Sequence, residues 1–307
     1  MNPFTDLVRS KWPLQQAGMS GTATSTLAAA VANAGGLGMI GVGGQQLAVI
    51  ERYLDEVAAL TDAPVGCTCI AHFVLPEVED LVVSRSPIIE FFYEWPDPKR
   101  VPENVICGWQ VGSVDEAKAA VDAGCQYVIA QGMEAGGHVR GHVPLAELVL
   151  AVRDAVSVPV VAAGGIGNVA AIRAAMSLGA DAVRVGTRFV ATRESYAHPA
   201  YIDALVAAAS NDSVLTEAFG VGWPHAPHRV LRSSIEAATA AASDVVGETR
   251  QANGTAMKMA RFGVSSPSRD TTGDISAMAL YAGRSVGSVD RLMSAAEVVE
   301  ELSAAFG

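Results

Sequence analysis

The stretch VPVVAAGGIGNVAAIRAAMSLGADAVRVGT, residues 158–187, decides the fold. It opens on an apolar run behind Pro159, and proline cannot continue a helix but tolerates the first position of a strand. Gly164 and Gly165 end that run, Asn168 stands where a helix would be capped, and the alanine-rich segment that follows stops at Gly179. A second apolar run, at 182–185, ends again in glycine, Gly186. The reading is strand, helix, strand, with a glycine turn after each strand.

The same phrase recurs outward from this stretch. Glycine stops the helix in VANAGGLGMIGV from 31 and VDAGCQYVIAQG from 121, whereas proline does so in TDAPVGCTCI from 61 and SRSPIIEFF from 84. Together these predict strands near 14–17, 38–42, 65–70, 88–92, 105–111, 127–131, 158–162 and 182–185, with helices between most of them. Near-continuous apolar strands alternating with helices imply a parallel sheet buried on both faces. Eight of them imply an α/β fold of the closed (β/α)8 TIM-barrel type, with function at the strand C-termini.

After about residue 210 the alternation stops. Residues 211–274 carry WPHAPHRV, the helix-like SSIEAATAAASDVV and a polar GVSSPSRDTTGD, and predict a mainly helical lid or small substrate domain. The barrel then comprises 1–210 and 275–307, with a helix at about 294–306 packing back on it.

Bulk properties limit the partners. The chain has 307 residues, 50% hydrophobic and 17% charged, so it can bury a large core. A formal charge of −11, with no dense basic run, speaks against nucleic acid and anionic membranes and leaves small molecules. No segment reads as a signal peptide or a membrane span, which predicts a cytoplasmic protein. Cys67, Cys69, Cys107 and Cys125 form no CxxC pair and have no histidine at metal spacing, so no metal site is expected. Cys67 and Cys69 would share one strand face as small buried side chains.

Two groups of residues carry chemistry. The glycines after the seventh and eighth strands, Gly164 and Gly165 and then Gly186 with Thr187, stand where TIM barrels hold a phosphate, because backbone N–H groups there can approach an anion. A dinucleotide fingerprint is literally present in Gly165, Gly167 and Ala170. It fails because the next strand ends in Arg184, Val185 and Gly186, with no acidic residue to hold a ribose. The second group is AQGMEAGGHVRGH, residues 130–142, after the sixth strand. Here Gly136 and Gly137 permit an unusual backbone, and His138 stands at the barrel mouth with a side chain suited to proton transfer near neutrality. His142 is expected to be solvated or to orient the loop.

With EAGGH at 134–138, QQAGMSGTATSTLAAAVANAGGLGMI near the start, AAGGIG, VRVGTRFVATRES and YAGRSVG near the end, the whole chain resembles the nitronate monooxygenase family, formerly called 2-nitropropane dioxygenases. The resemblance implies a non-covalent FMN in the barrel mouth. By motif position, Gly164, Gly165, Arg184, Val185, Gly186 and Thr187 would hold its phosphate. Gln131 and Gly136 would contact the flavin and ribityl chain, Met19 and Thr68 would lie near the ring, and His138 would be catalytic. The chain departs from the family pattern at Gly18, Thr68 and Arg284 and in the additional Val139.

The leading expectation is therefore oxidation of an alkyl nitronate by FMN and dioxygen, with His138 as base or charge stabiliser. The alternative is an NAD(P)H-dependent FMN reductase of an enoyl-thioester or quinone, with His225, His228, Arg229 and Arg232 as candidate anion contacts or a solvated polar face. A phosphate-binding barrel without flavin is the third class, and the oligomeric state stays open.

Overall fold

A computed structural model describes residues 2–93, 101–250 and 254–307; residues 94–100 of the expected barrel and 251–253 of the expected lid lie outside the described residues. Its strands, in chain order, are β1 Leu14–Gln16, β2 Gly38–Gly41, β3 Val65–Ile70, β4 Ile88–Phe92, β5 Ile106–Val111, β6 Tyr127–Gln131, the two-residue β7 Gly137–His138, β8 Val160–Ala163 and β9 Ala182–Val185. All but β7 form one parallel sheet in the order β1-β9-β8-β6-β5-β4-β3-β2. The ends of that order meet where Leu37, just before β2, pairs with Gln15 in β1, and this closes the barrel. These are the eight strands expected.

The strands are mostly apolar because each is buried twice, against helices outside and against the other strands inside. The outward positions, among them Cys67, Cys69, Ile89, Phe91, Val183 and Val185, join the core beneath the helices. The inward positions Met39, Ile88, Tyr127, Ile129, Val161 and Ala182 fill the barrel, and Phe4 and Val8 of the helix Pro3–Val8 plug its lower end. Large and small residues alternate between neighbouring strands: a Cβ on Gly108 would lie 2.3 Å from the Tyr127 ring. The helix Val169–Ser177 starts where expected, with the Asn168 side chain accepting from the Ala171 N–H at 2.9 Å.

The mainly helical lid expected over 211–274 needs correction. Among the described residues the segment holds one α-helix, Arg232–Ala240, of nine residues, and five strands: β10 Ser213–Thr216, β11 His228–Leu231, β12 Val245–Arg250, β13 Ala256–Ala260 and β14 Thr271–Gly273. β10, β11 and β7 form one antiparallel sheet, and β13, β12 and β14 another. The apolar signal fails here because these strands are short and β12 and β13 are largely exposed, so their alternation falls on Glu248, Thr249 and Lys258. Through β7 this segment is bound to the barrel: His138 pairs with His228, and Gly137 with Arg229.

Candidate active site

At the C-terminal ends of the strands lies a cavity of about 670 Å³, bounded by the barrel mouth and by the β12–β13 segment. Its lining includes Met19, Thr68, Gln131, Gly136, His138, Gly164, Gly165, Arg184, Gly186 and Thr187, so the structure gathers these expected site residues around one space. Val185 is the exception. Its side chain faces outward into the core under the helices, the alternate face to Arg184, while its carbonyl accepts from the Ala17 N–H at 2.9 Å.

The floor of the cavity is a charged network inside the barrel. The buried Glu90 carboxylate accepts from Gln15 Nε2 at 2.7 Å, Tyr127 Oη at 2.7 Å, Thr68 Oγ1 at 2.9 Å and Arg184 Nη2. Arg184 also donates to Gln15 Oε1 at 2.9 Å and Gln110 Oε1 at 2.6 Å. A buried carboxylate is tolerated only when paired and fully hydrogen-bonded, and this one is. The guanidinium expected to hold a phosphate is thus engaged below, by Glu90. What Thr68 contributes to this floor is a hydrogen bond to the same carboxylate.

The turns after β8 and β9 leave backbone donors open. Gly164 and Gly165 have φ of 115° and 70°, a conformation that suits glycine. The N–H groups of Gly165, Ile166 and Thr187 find no acceptor among the described residues. Thr187 Oγ1 accepts from the Gly283 N–H at 3.0 Å and so ties the YAGRSVG segment to the end of β9. A Cβ on Gly186 would meet only Ala17 and Met19 side chains, at 3.7 and 3.8 Å. Open donors beside free space are what a phosphate group requires, and the cavity fits one.

The His138 loop is held by Gln131. Its Nε2 donates to the His138 carbonyl at 2.8 Å, and its Oε1 accepts from the Arg140 N–H at 2.9 Å. Glu134 accepts from the Leu145 N–H at 3.0 Å and so caps the helix Leu145–Ala155, for which Pro144 has no capping side chain. Within EAGGH, therefore, the glutamate anchors the loop and the histidine faces the cavity.

The His138 imidazole makes no hydrogen bond within the described residues, and its Nε2 is fully buried. Rings hold it instead. Trp223 stacks on it at 4.1 Å with 27° between planes, and His228 and Tyr281 lie at 5.3 and 5.6 Å. Burial, with His228 adding to it, pulls its pKa down to about 3, so the ring is neutral at pH 7.

The lid residues separate into three kinds. His228 is fully buried: Nδ1 faces the Ala226 carbonyl at 2.8 Å and Nε2 accepts from the Phe219 N–H at 3.1 Å, which fixes a neutral tautomer. Arg229 is buried as well and donates to the carbonyls of Met133 and Ser213, which stitches the lid to the EAGGH loop. Only His225 and Arg232 belong to a solvated face. Trp223 is the site residue that the sequence reading missed. Its signal was a large aromatic between Gly222 and Pro224 in a polar stretch, which must bury its ring somewhere.

Among the described residues no helix is long and apolar enough to cross a membrane, and no cluster of side chains is arranged to hold a metal. The family described as nitronate monooxygenase matches residues 2–80 and 77–305. A probable nitronate monooxygenase from Staphylococcus aureus (strain MRSA252) is 30% identical, with 71% of this chain and 76% of that protein covered. Among solved structures, FabK from Thermotoga maritima superposes with a TM-score of 0.79 at 29% identity, covering 100% of this chain and 96% of that one. A nitroalkane oxidase from Streptomyces ansochromogenes gives 0.78 at 28% identity, covering 98% and 97%.

Proposed function

The chain belongs to the nitronate monooxygenase family of oxidoreductases, and from that premise we propose that it uses FMN and dioxygen to oxidise alkyl nitronates. The observation that carries the reading is His138, an imidazole without a hydrogen-bond partner among the described residues, on the wall of a cavity that also offers open backbone donors. The donors of Gly165, Ile166 and Thr187 would hold the FMN phosphate, and Met19, Gln131 and Gly136 would lie along the rest of the cofactor. When bound, FMN supplies the electron chemistry.

The protein's own part is position and charge. A neutral His138 can donate one N–H to the oxygen of a nitronate, whose negative charge it then stabilises without taking a proton. Towards a neutral nitroalkane it must act as base: the C–H bond breaks, its electron pair stays on the substrate as the nitronate, and the proton forms an N–H bond on the imidazole. A ring held near pKa 3 does this reluctantly, so pre-formed nitronate is the better substrate.

The test is anaerobic mixing of the purified protein with a nitroalkane and with its pre-formed nitronate. A yellow protein that releases FMN on denaturation and is bleached by nitronate is expected. A colourless protein that FMN does not reconstitute sinks the reading. His138→Asn should retain FMN and lose about 10²- to 10⁴-fold in reduction by the nitroalkane, with a smaller loss for the nitronate. A second reading, NAD(P)H-dependent reduction of an enoyl-thioester or quinone, is favoured by Arg52 and Arg250, two cations on the outer wall of the cavity where an anionic tail would lie. Rapid anaerobic bleaching by NAD(P)H, with none by nitronate, would establish it in place of the first.

A further inference from the structure

Trp223 joins an aromatic cluster over the barrel mouth. It stands between Gly222, with φ of 101°, and Pro224, and its buried ring meets aromatic side chains from three separate barrel loops. Phe73 and His72, after β3, lie at 5.0 and 5.6 Å; Tyr93, after β4, at 4.6 Å; and His138, after β6, at 4.1 Å. The His138 contact is the closest of these and is near-parallel, so the imidazole lies over an indole face.

Among the described residues, the other groups facing His138 carry no negative charge. Facing it are His228, held neutral by its two hydrogen bonds, and Tyr281, whose hydroxyl donates to the Val264 carbonyl. Arg140 lies over Tyr93 and pairs with Glu116, and no carboxylate forms an ion pair with His138 among the described residues. Glu217 pairs with His225 and acts on His228. An aromatic face within about 6 Å attracts a cation through its quadrupole, and indole does so best.

We propose that Trp223 is a positioning residue for His138: its indole face stabilises the imidazolium formed when His138 takes a proton from a neutral carbon acid. The inference rests on the proposed role of His138 as proton acceptor. It separates two substrate states. A neutral nitroalkane leaves a proton on His138 and needs the indole; a pre-formed nitronate meets a neutral imidazole and does not.

The experiment is anaerobic flavin reduction by a nitroalkane and by its pre-formed nitronate in the parent, Trp223→Phe, Trp223→Leu and His138→Asn, each at matched bound FMN. Trp223→Leu, apolar but without a π face, should slow the nitroalkane reaction roughly 5- to 30-fold and the nitronate reaction less than about twofold. Trp223→Phe should fall between Leu and the parent for the nitroalkane. Equal slowing with both substrates, or slowing with neither, in the Leu variant overturns the inference, because a residue that only packs would not distinguish them. If Trp223→Leu fails to retain FMN, the same comparison in Trp223→Phe decides by its smaller split. Should His138→Asn react with nitroalkane as fast as the parent, the base reading itself falls and the inference with it. Should His138→Asn be slow and the Trp223 variants normal, only the inference falls. A parent that neither substrate reduces removes both.

Discussion

His138 and His228 bring their buried rings to 5.3 Å of each other, and both pKa values lie below that of free imidazole for the same first reason, burial. This links the site to stability. In the unfolded chain His138 takes a proton near pH 6.5, whereas folded it stays neutral until about pH 3, so the unfolded state binds more protons through that window. The contribution of His138 to stability is therefore fully present above about pH 6.5 and declines as pH falls towards 3, by up to about 1.4 kcal/mol per pH unit. His138→Asn should lose this dependence. Urea unfolding at a series of pH values from 7 to 4 should show the variant gaining on the parent as pH falls; parallel curves would place the imidazole in contact with water. The same residue shows what was legible in sequence. EAGGH marked the histidine, but its ring partners Trp223, His228 and Tyr281 lie 85, 90 and 143 positions further on and meet it only through folding.

Among the elements, the barrel strands could be read because burial on both faces leaves most of them a largely apolar run, such as Tyr127–Ala130. The lid strands could not, because β12 and β13 expose Glu248, Arg250 and Lys258 and pair through backbone bonds that accept almost any side chain. The partner of Arg184 was not legible for a related reason. Sequence gives Arg184 its place at the end of β9, but only the closed barrel brings Glu90, four strands away, within reach of its guanidinium. The element on which the site most depends is the EAGGH loop, which rests on the YAGRSVG segment where Arg284 N–H donates to the Glu134 carbonyl at 3.0 Å. At Gly136 the two backbones touch: a Cβ there would lie 2.4 Å from the Gly283 nitrogen. Gly136→Ala must displace one backbone or the other. It should cost about 1–3 kcal/mol in urea unfolding and reduce bound FMN and turnover together. Unchanged stability with full activity would show that the loop does not lean on that segment.

At the scale of the whole molecule, the barrel supplies a rigid floor and open donors, the lid supplies Trp223 and His228, and the cavity exists only where the two meet. A substitution that tests cofactor binding must fill that cavity without disturbing either half. Glycines of the site differ in this respect. A side chain at Gly136 would strike the backbone of Gly283, and one at Gly164 would crowd Ala135 N and Gly132 O at 3.0 Å from a strained φ of 115°. Gly186 has an ordinary negative φ of −110°, and a Cβ there makes only van der Waals contact with Ala17 and Met19. Gly186→Leu should accordingly fold as the parent does, with its side chain extending into the space beside the open N–H of Thr187. FMN retention should fall to about one-tenth or less, a loss of at least ~1.4 kcal/mol in binding, because cofactor and leucine cannot share close-packed space. Flavin absorbance of the purified variant and its FMN titration measure the loss, and thermal unfolding of the cofactor-free proteins checks that the fold is untouched. Full FMN content in a normally folded Gly186→Leu would move the phosphate away from the end of β9, to the turn after β8 alone.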